Sequence, residues 1–142
     1  MDPREFHGLA ERLASHGTAA ESRTAVGRAC YATFNVGAEI LRDLGFRVRK
    51  GAAAHGEIYH CLSNSADPDV IGAASEINDL HRLRNRADYQ LDSTDVERAA
   101  VVMKVVQTAG TVIRALDVAF TGPRRSQLQA PIEKWRKENG YP

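Results

Sequence analysis

Between Thr18 and Leu44 the residues Val26, Ala29, Cys30, Thr33, Val36, Gly37, Ile40, Leu41 and Leu44 recur at intervals of three and four. On an α-helix this spacing gathers them into one stripe, whereas on a strand it would scatter them over both faces. A helix this long, at ~1.5 Å per residue, spans most of a small domain, so the remaining elements must pack along it. Thr18 caps its start, with Glu21 three residues on as the capping-box partner, and Gly45 suits the left-handed position after its end. Few other segments alternate with period two and β-branched runs are short, so no sheet competes.

The rest of the chain reads the same way. Phe6, Leu9, Ala10 and Leu13 give a helix over Pro3 to Ser15. "FRVRKGAAAHG" reads as a basic loop, followed by a short helix from His55 to Leu62. "SNSADPD" is a break, and Pro68 suits the first turn of a helix that begins after Asp67. That helix carries Val70, Ile71, Ala74, Ile77, Leu80, Arg84 and Ala87 and ends near Gln90. Thr94 and Glu97 form a second capping box before a helix to Phe120. Its stripe is Val96, Ala99, Met103, Val106, Gly110, Ile113 and Phe120, with Val102 and Leu116 beside it. "TGPRRSQLQAP" reads as a linker and "IEKWRKENG" as a last short helix. The expected fold is all-α, an antiparallel up-down bundle of four to five helices over 1–120, with a basic linker and short C-terminal helix or tail over 121–142.

Composition narrows the function classes. A chain of 142 residues with 43% hydrophobic residues has enough apolar content for one packed domain and is not of disordered composition. Formal net charge is +1, so any basic patch must be local. Cys30 and Cys61 lie in no metal or redox spacing, and the reading is two buried, reduced thiols in a cytoplasmic protein. "MDPREF" has no apolar run of a signal peptide, and no apolar stretch approaches the ~18 residues of a membrane helix. No P-loop, GxGxxG, HExxH or GxSxG motif appears, and no cofactor is expected. No metal site is expected either, since His60 and Cys61 are adjacent and do not project from one helical face toward His55.

Polar chemistry concentrates in "LHRLRNRADYQL", residues 80–91. His81, Arg84, Asn85 and Asp88 share one helical stripe at the edge of a core stripe of Ile77, Leu80, Ala87 and Leu91. Arg82 and Arg86 point elsewhere. Arg84 and Asp88 either form an intrahelical pair, worth only ~0.3 kcal/mol when exposed, or Arg84 serves as a bidentate phosphate ligand. A second polar group, Arg23, Arg28 and Tyr31, interrupts the long helix, and Tyr31 either stacks on a base or covers the core. Trp135, set among Lys134, Arg136 and Lys137, either stacks on a base or docks the tail.

Taken in order, "SRTAVGRACYATFNVGAEIL", "HGEIYHCL", "LHRLRNRADYQL" and "DVERAA" resemble the HEPN superfamily, in its prokaryotic branch with an RxxADY motif, over roughly residues 18 to 120. The resemblance implies an up-down helical bundle and a homodimer with a cleft at the subunit interface. It further implies RNA or a nucleotide as ligand, and a nucleotidyltransferase antitoxin as partner. Active members cut RNA without a metal, using an arginine followed four to six residues later by histidine. Here Tyr89 stands where that histidine would follow Arg84. The residues left to act on RNA are Arg84 on the phosphate, with Asp88, Tyr89 or His81 handling protons. Arg23, Arg28, Tyr31, His55 and Arg82 are the candidate binding residues, and His55 matches a loop histidine of the family. The expected function is a toxin-type HEPN protein of a toxin–antitoxin or phage-defence pair, with weak or degenerate ribonuclease activity. The alternative is a non-catalytic interaction module or nucleotidyltransferase partner in which the Arg/Asp/Tyr cluster is structural.

Overall fold

The structure, a computed structural model, describes all residues from Met1 to Pro142. It is all-helical. Six α-helices follow in order: α1 (Arg4–Ala14), α2 (Ala19–Asp43), α3 (Ala52–Ser63), α4 (Pro68–Tyr89), α5 (Ala99–Thr121) and α6 (Arg125–Glu138), with a 3₁₀ turn at Thr94–Glu97 before α5.

The strong start and stop signals are realised. Thr18 Oγ1 accepts the Glu21 N–H at 3.2 Å, and Gly45 takes φ +92° after α2. Asp67 accepts the N–H groups of Asp69 and Val70, and Pro68 opens α4. The second capping box does not form. Thr94 and Glu97 lie in the 3₁₀ turn, Arg98 precedes α5 without a side-chain cap, and the Glu97 carboxylate is taken by Arg23 at 2.7 Å.

Helix α2 is the spine: α1, α3, α4 and α5 all pack against it. It runs antiparallel to α4, because Arg23 reaches the carbonyls at the end of α4 while Cys30 meets Leu80. Two apolar clusters line it. One joins the first half of α2 to Leu80, Ala87, Val102 and Val106; the other joins its second half to α3, Ala74, Ile113, Leu116 and α6. Every stripe residue expected on α2 is buried.

Helix α5 corrects three expectations. Its buried line is Val102, Val105, Val106, Ala109, Val112, Ile113, Leu116 and Phe120, whereas Met103 is 46% exposed and Ala99 is also exposed. The other seven expected residues, Val96, Val102, Val106, Gly110, Ile113, Leu116 and Phe120, are buried, so only the start of the line departs from the expectation. By length and apolarity α5 is also sufficient to cross a membrane, contrary to the sequence expectation. Its apolar content is explained by packing: α1, α2, α4 and α6 all lie against it.

The expected linker is mostly helix. Only 122–124 turn, and α6 then runs through Pro131, with Leu128, Ile132 and Arg136 buried at four-residue spacing. Pro131 removes one N–H from the helix; burial of that line on the core outweighs it. Helices α1 to α5 fall in the expected bundle region and α6 is the C-terminal helix beyond it. Ile71 and Leu91, expected on the core stripe of α4, are 40% and 73% exposed.

Candidate functional site

Where α2, α3 and α4 meet, they leave a cleft of about 690 Å³. It is floored by Cys30, Phe34 and Ile77 and walled by His55, His81, Arg84 and Asn85. Arg42, Arg49 and Lys50 complete a set of four lining cations, Tyr31 and Tyr89 lie at the rim, and no acidic side chain lines it. Arg84 and Asn85 come from α4 and Arg42 from the last turn of α2, while the loop after α2 supplies Arg49 and Lys50. Gly51, at φ +77°, turns that loop into α3.

The two histidines are the unusual pair. The rings of His55 and His81 stack at 3.7 Å between centroids, and Phe34 stacks with His55 at 6.0 Å. Both ring nitrogens of His55 are shut off from solvent without a hydrogen-bond partner. Burial holds His55 below the ordinary histidine range, and the neighbouring His81 and Arg84 push the same way; Asn78 opposes them without closing a hydrogen bond of normal geometry. Burial, and then Arg84, likewise lower His81. The stack is therefore neutral near pH 7. Cys30, beneath it, is no nucleophile: burial pushes its thiol up to about 12, and its Sγ donates to the Leu80 carbonyl.

The other expected site residues divide clearly. Arg84 donates to Asp88 at 3.1 Å, with both side chains about a third exposed, and Asp88 sits against Gly27 of α2. Tyr89 is 72% exposed at the rim. Tyr31 reaches the cleft, its ring edge-on to Phe6 at 4.9 Å. Arg28 lies over the Phe6 and Tyr31 rings and does not line the cleft. Arg82 points to solvent and pairs with Asp79.

Arg23 is the clearest reassignment. It is buried, and its guanidinium donates to Glu97 and to the carbonyls of Ala87, Gln90, Leu91 and Ser93. It closes the C-terminal end of α4, whose last carbonyls have no helical partner, and has no donor left for a ligand.

Two polar residues of the core were not foreseen. Glu57 and Arg136 are both buried and pair at 2.7 Å, joining α3 to α6. The clue available was Arg136 at the four-residue spacing of Leu128 and Ile132. No group of three or more His, Cys, Asp or Glu side chains is placed to hold a metal ion, and His60 stacks on Trp135 instead.

No protein-family model, curated protein or solved structure matches this chain.

Proposed function

We propose that the cleft binds RNA or a nucleotide through its phosphate, in a HEPN-type up-down bundle that works as a homodimer. The observation that carries this reading is the four-cation, acid-free lining around a neutral histidine stack. Arg84 and Arg49 are paired with Asp88 and Glu57, whose carboxylates lie outside the lining, whereas Arg42 and Lys50 have no acid partner. Such a lining attracts a phosphate, and aromatic rims suit an unpaired base.

Such a cleft also supports weak, metal-independent RNA cleavage. That reaction needs one group to take the 2′-OH proton, one to protonate the leaving 5′-oxygen, and donors on the phosphate. Arg84 supplies the donors, its guanidinium able to leave a partly exposed Asp88 for a phosphate. An imidazole moves protons near neutrality better than a carboxylate or a phenol, so the proton roles fall to His81, with the His55 ring packed against it. The histidine missing from the motif is thus replaced by one on the preceding turn of α4. Assignment to a toxin–antitoxin or phage-defence pair, with a nucleotidyltransferase partner, rests on the sequence resemblance.

A labelled hexauridylate titrated by fluorescence anisotropy tests the site. Arg84→Ala should weaken binding about tenfold or more, and lower the salt dependence by about 0.7 in log–log slope. Unchanged affinity in that variant would favour the second reading, an interaction module in which the Arg84–Asp88 pair only braces α4.

A further inference from the structure

We infer that Arg136 and Glu57 are positioning residues for the cleft, so that the C-terminal helix α6 sets the cations of the loop at 46–50. This rests on the cleft being a phosphate site, and it concerns a helix outside the span that resembles HEPN proteins.

The geometry is a relay through one carboxylate. Glu57 Oε1 accepts from Arg136 Nη1 at 2.7 Å. Its Oε2 accepts from the Arg49 backbone N–H at 3.0 Å and from Arg49 Nε at 3.3 Å. The other arm of the Arg136 fork, Nη2, donates to the Arg47 carbonyl at 2.8 Å. Arg49 also lies over the Tyr141 ring at 4.7 Å, and Tyr141 is held by its N–H on the Arg136 carbonyl at 2.8 Å. The loop between α2 and α3 is therefore tied at residue 47 and residue 49 to two fully buried groups. The next residue is Lys50, and both Arg49 and Lys50 line the cleft. A loop without these ties would spread its cations over many positions, and each would then lose freedom on binding a phosphate. Fixing them in advance removes that cost. The planar fork suits this task, because Nη1 and Nη2 face separate acceptors in fixed directions, whereas an ammonium would have to reach both from one nitrogen on a shorter, less constrained head.

Four variants test this with the same hexauridylate probe: Arg49→Ala, Arg136→Lys, the double variant of those two, and the apolar pair Glu57→Met with Arg136→Met. The last leaves no stranded buried charge, so it reads the loss of the ties even where Arg136→Lys unfolds. Arg49→Ala should weaken binding about tenfold, and Arg136→Lys should lose most of that factor. Adding Arg136→Lys to Arg49→Ala should cost little more, because one acts through the other. The inference is overturned if Arg49→Ala binds like the native protein, or if both Arg136→Lys and the methionine pair do. It is also overturned if the losses from Arg49→Ala and Arg136→Lys simply multiply. Failure of the native protein to bind the probe, or an Arg84→Ala variant that binds as tightly, overturns the phosphate reading itself.

Discussion

The Arg136 guanidinium donates to Glu57 at 2.7 Å with both side chains essentially inaccessible, at 2% and 0% exposure, linking two helices 79 residues apart in sequence. Burial alone would raise the Glu57 carboxyl, but hydrogen bonds from Arg136 and Arg49 overcome it and hold Glu57 below the ordinary range. Removing one member strands the other's charge in the core, at ~3–5 kcal/mol. Arg136→Ala and Glu57→Ala should therefore each lower the melting temperature by roughly ten degrees or more, whereas the paired methionine replacement should recover most of that loss. Differential scanning calorimetry on the three variants decides it.

Arg23 should behave as a brace. Arg23→Ala uncovers the carbonyls at the end of α4 and leaves Glu97 without its partner. A cost of ~2–4 kcal/mol is expected, seen as a lower urea midpoint, with hexauridylate affinity unchanged at temperatures where the variant is folded.

The stacked histidines predict a pH dependence of stability. Both are held below their ordinary value of 6.5, so in the unfolded chain they bind protons that the folded protein refuses. Stability from the neutral stack is full above pH 6.5 and is lost as pH falls through that value toward the lower folded ones. Melting temperature should decline from pH 7.5 to 5, and His55→Asn with His81→Gln should flatten that decline. An unchanged slope in the double variant would show that the stack does not carry it.

Gly37 and Gly27 separate a packed contact from a movable one. A Cβ on Gly37 would stand 3.0 Å from Ile58 Cγ2 in the core, and one on Gly27 would stand 3.1 Å from the partly exposed carboxylate of Asp88. Alanine gains ~1 kcal/mol of helix propensity at either site. At Gly37 overpacking of ~1–3 kcal/mol outweighs that gain, whereas at Gly27 the Asp88 side chain swings aside. Chemical denaturation should show Gly37→Ala less stable than native and Gly27→Ala equal or better.

Local sequence determined the helical class, the limits of α2, the start of α4 and the stripe on α2, because propensity, capping and three–four spacing act over a few residues. It also placed His81, Arg84 and Asn85 on one face. Tertiary structure alone decided that Ala99 and Met103 at the start of α5 face outward and that the polar composition of "TGPRRSQLQAP" did not prevent α6 from forming, since burial of Leu128, Ile132 and Arg136 settles that helix. It likewise decided that Arg23 is spent on the end of α4 and that His55 stacks on His81 across 26 residues. Hydrogen-bond partners and ring stacks of this kind join separate elements, and only the packing of α2, α3, α4 and α6 brings them within reach.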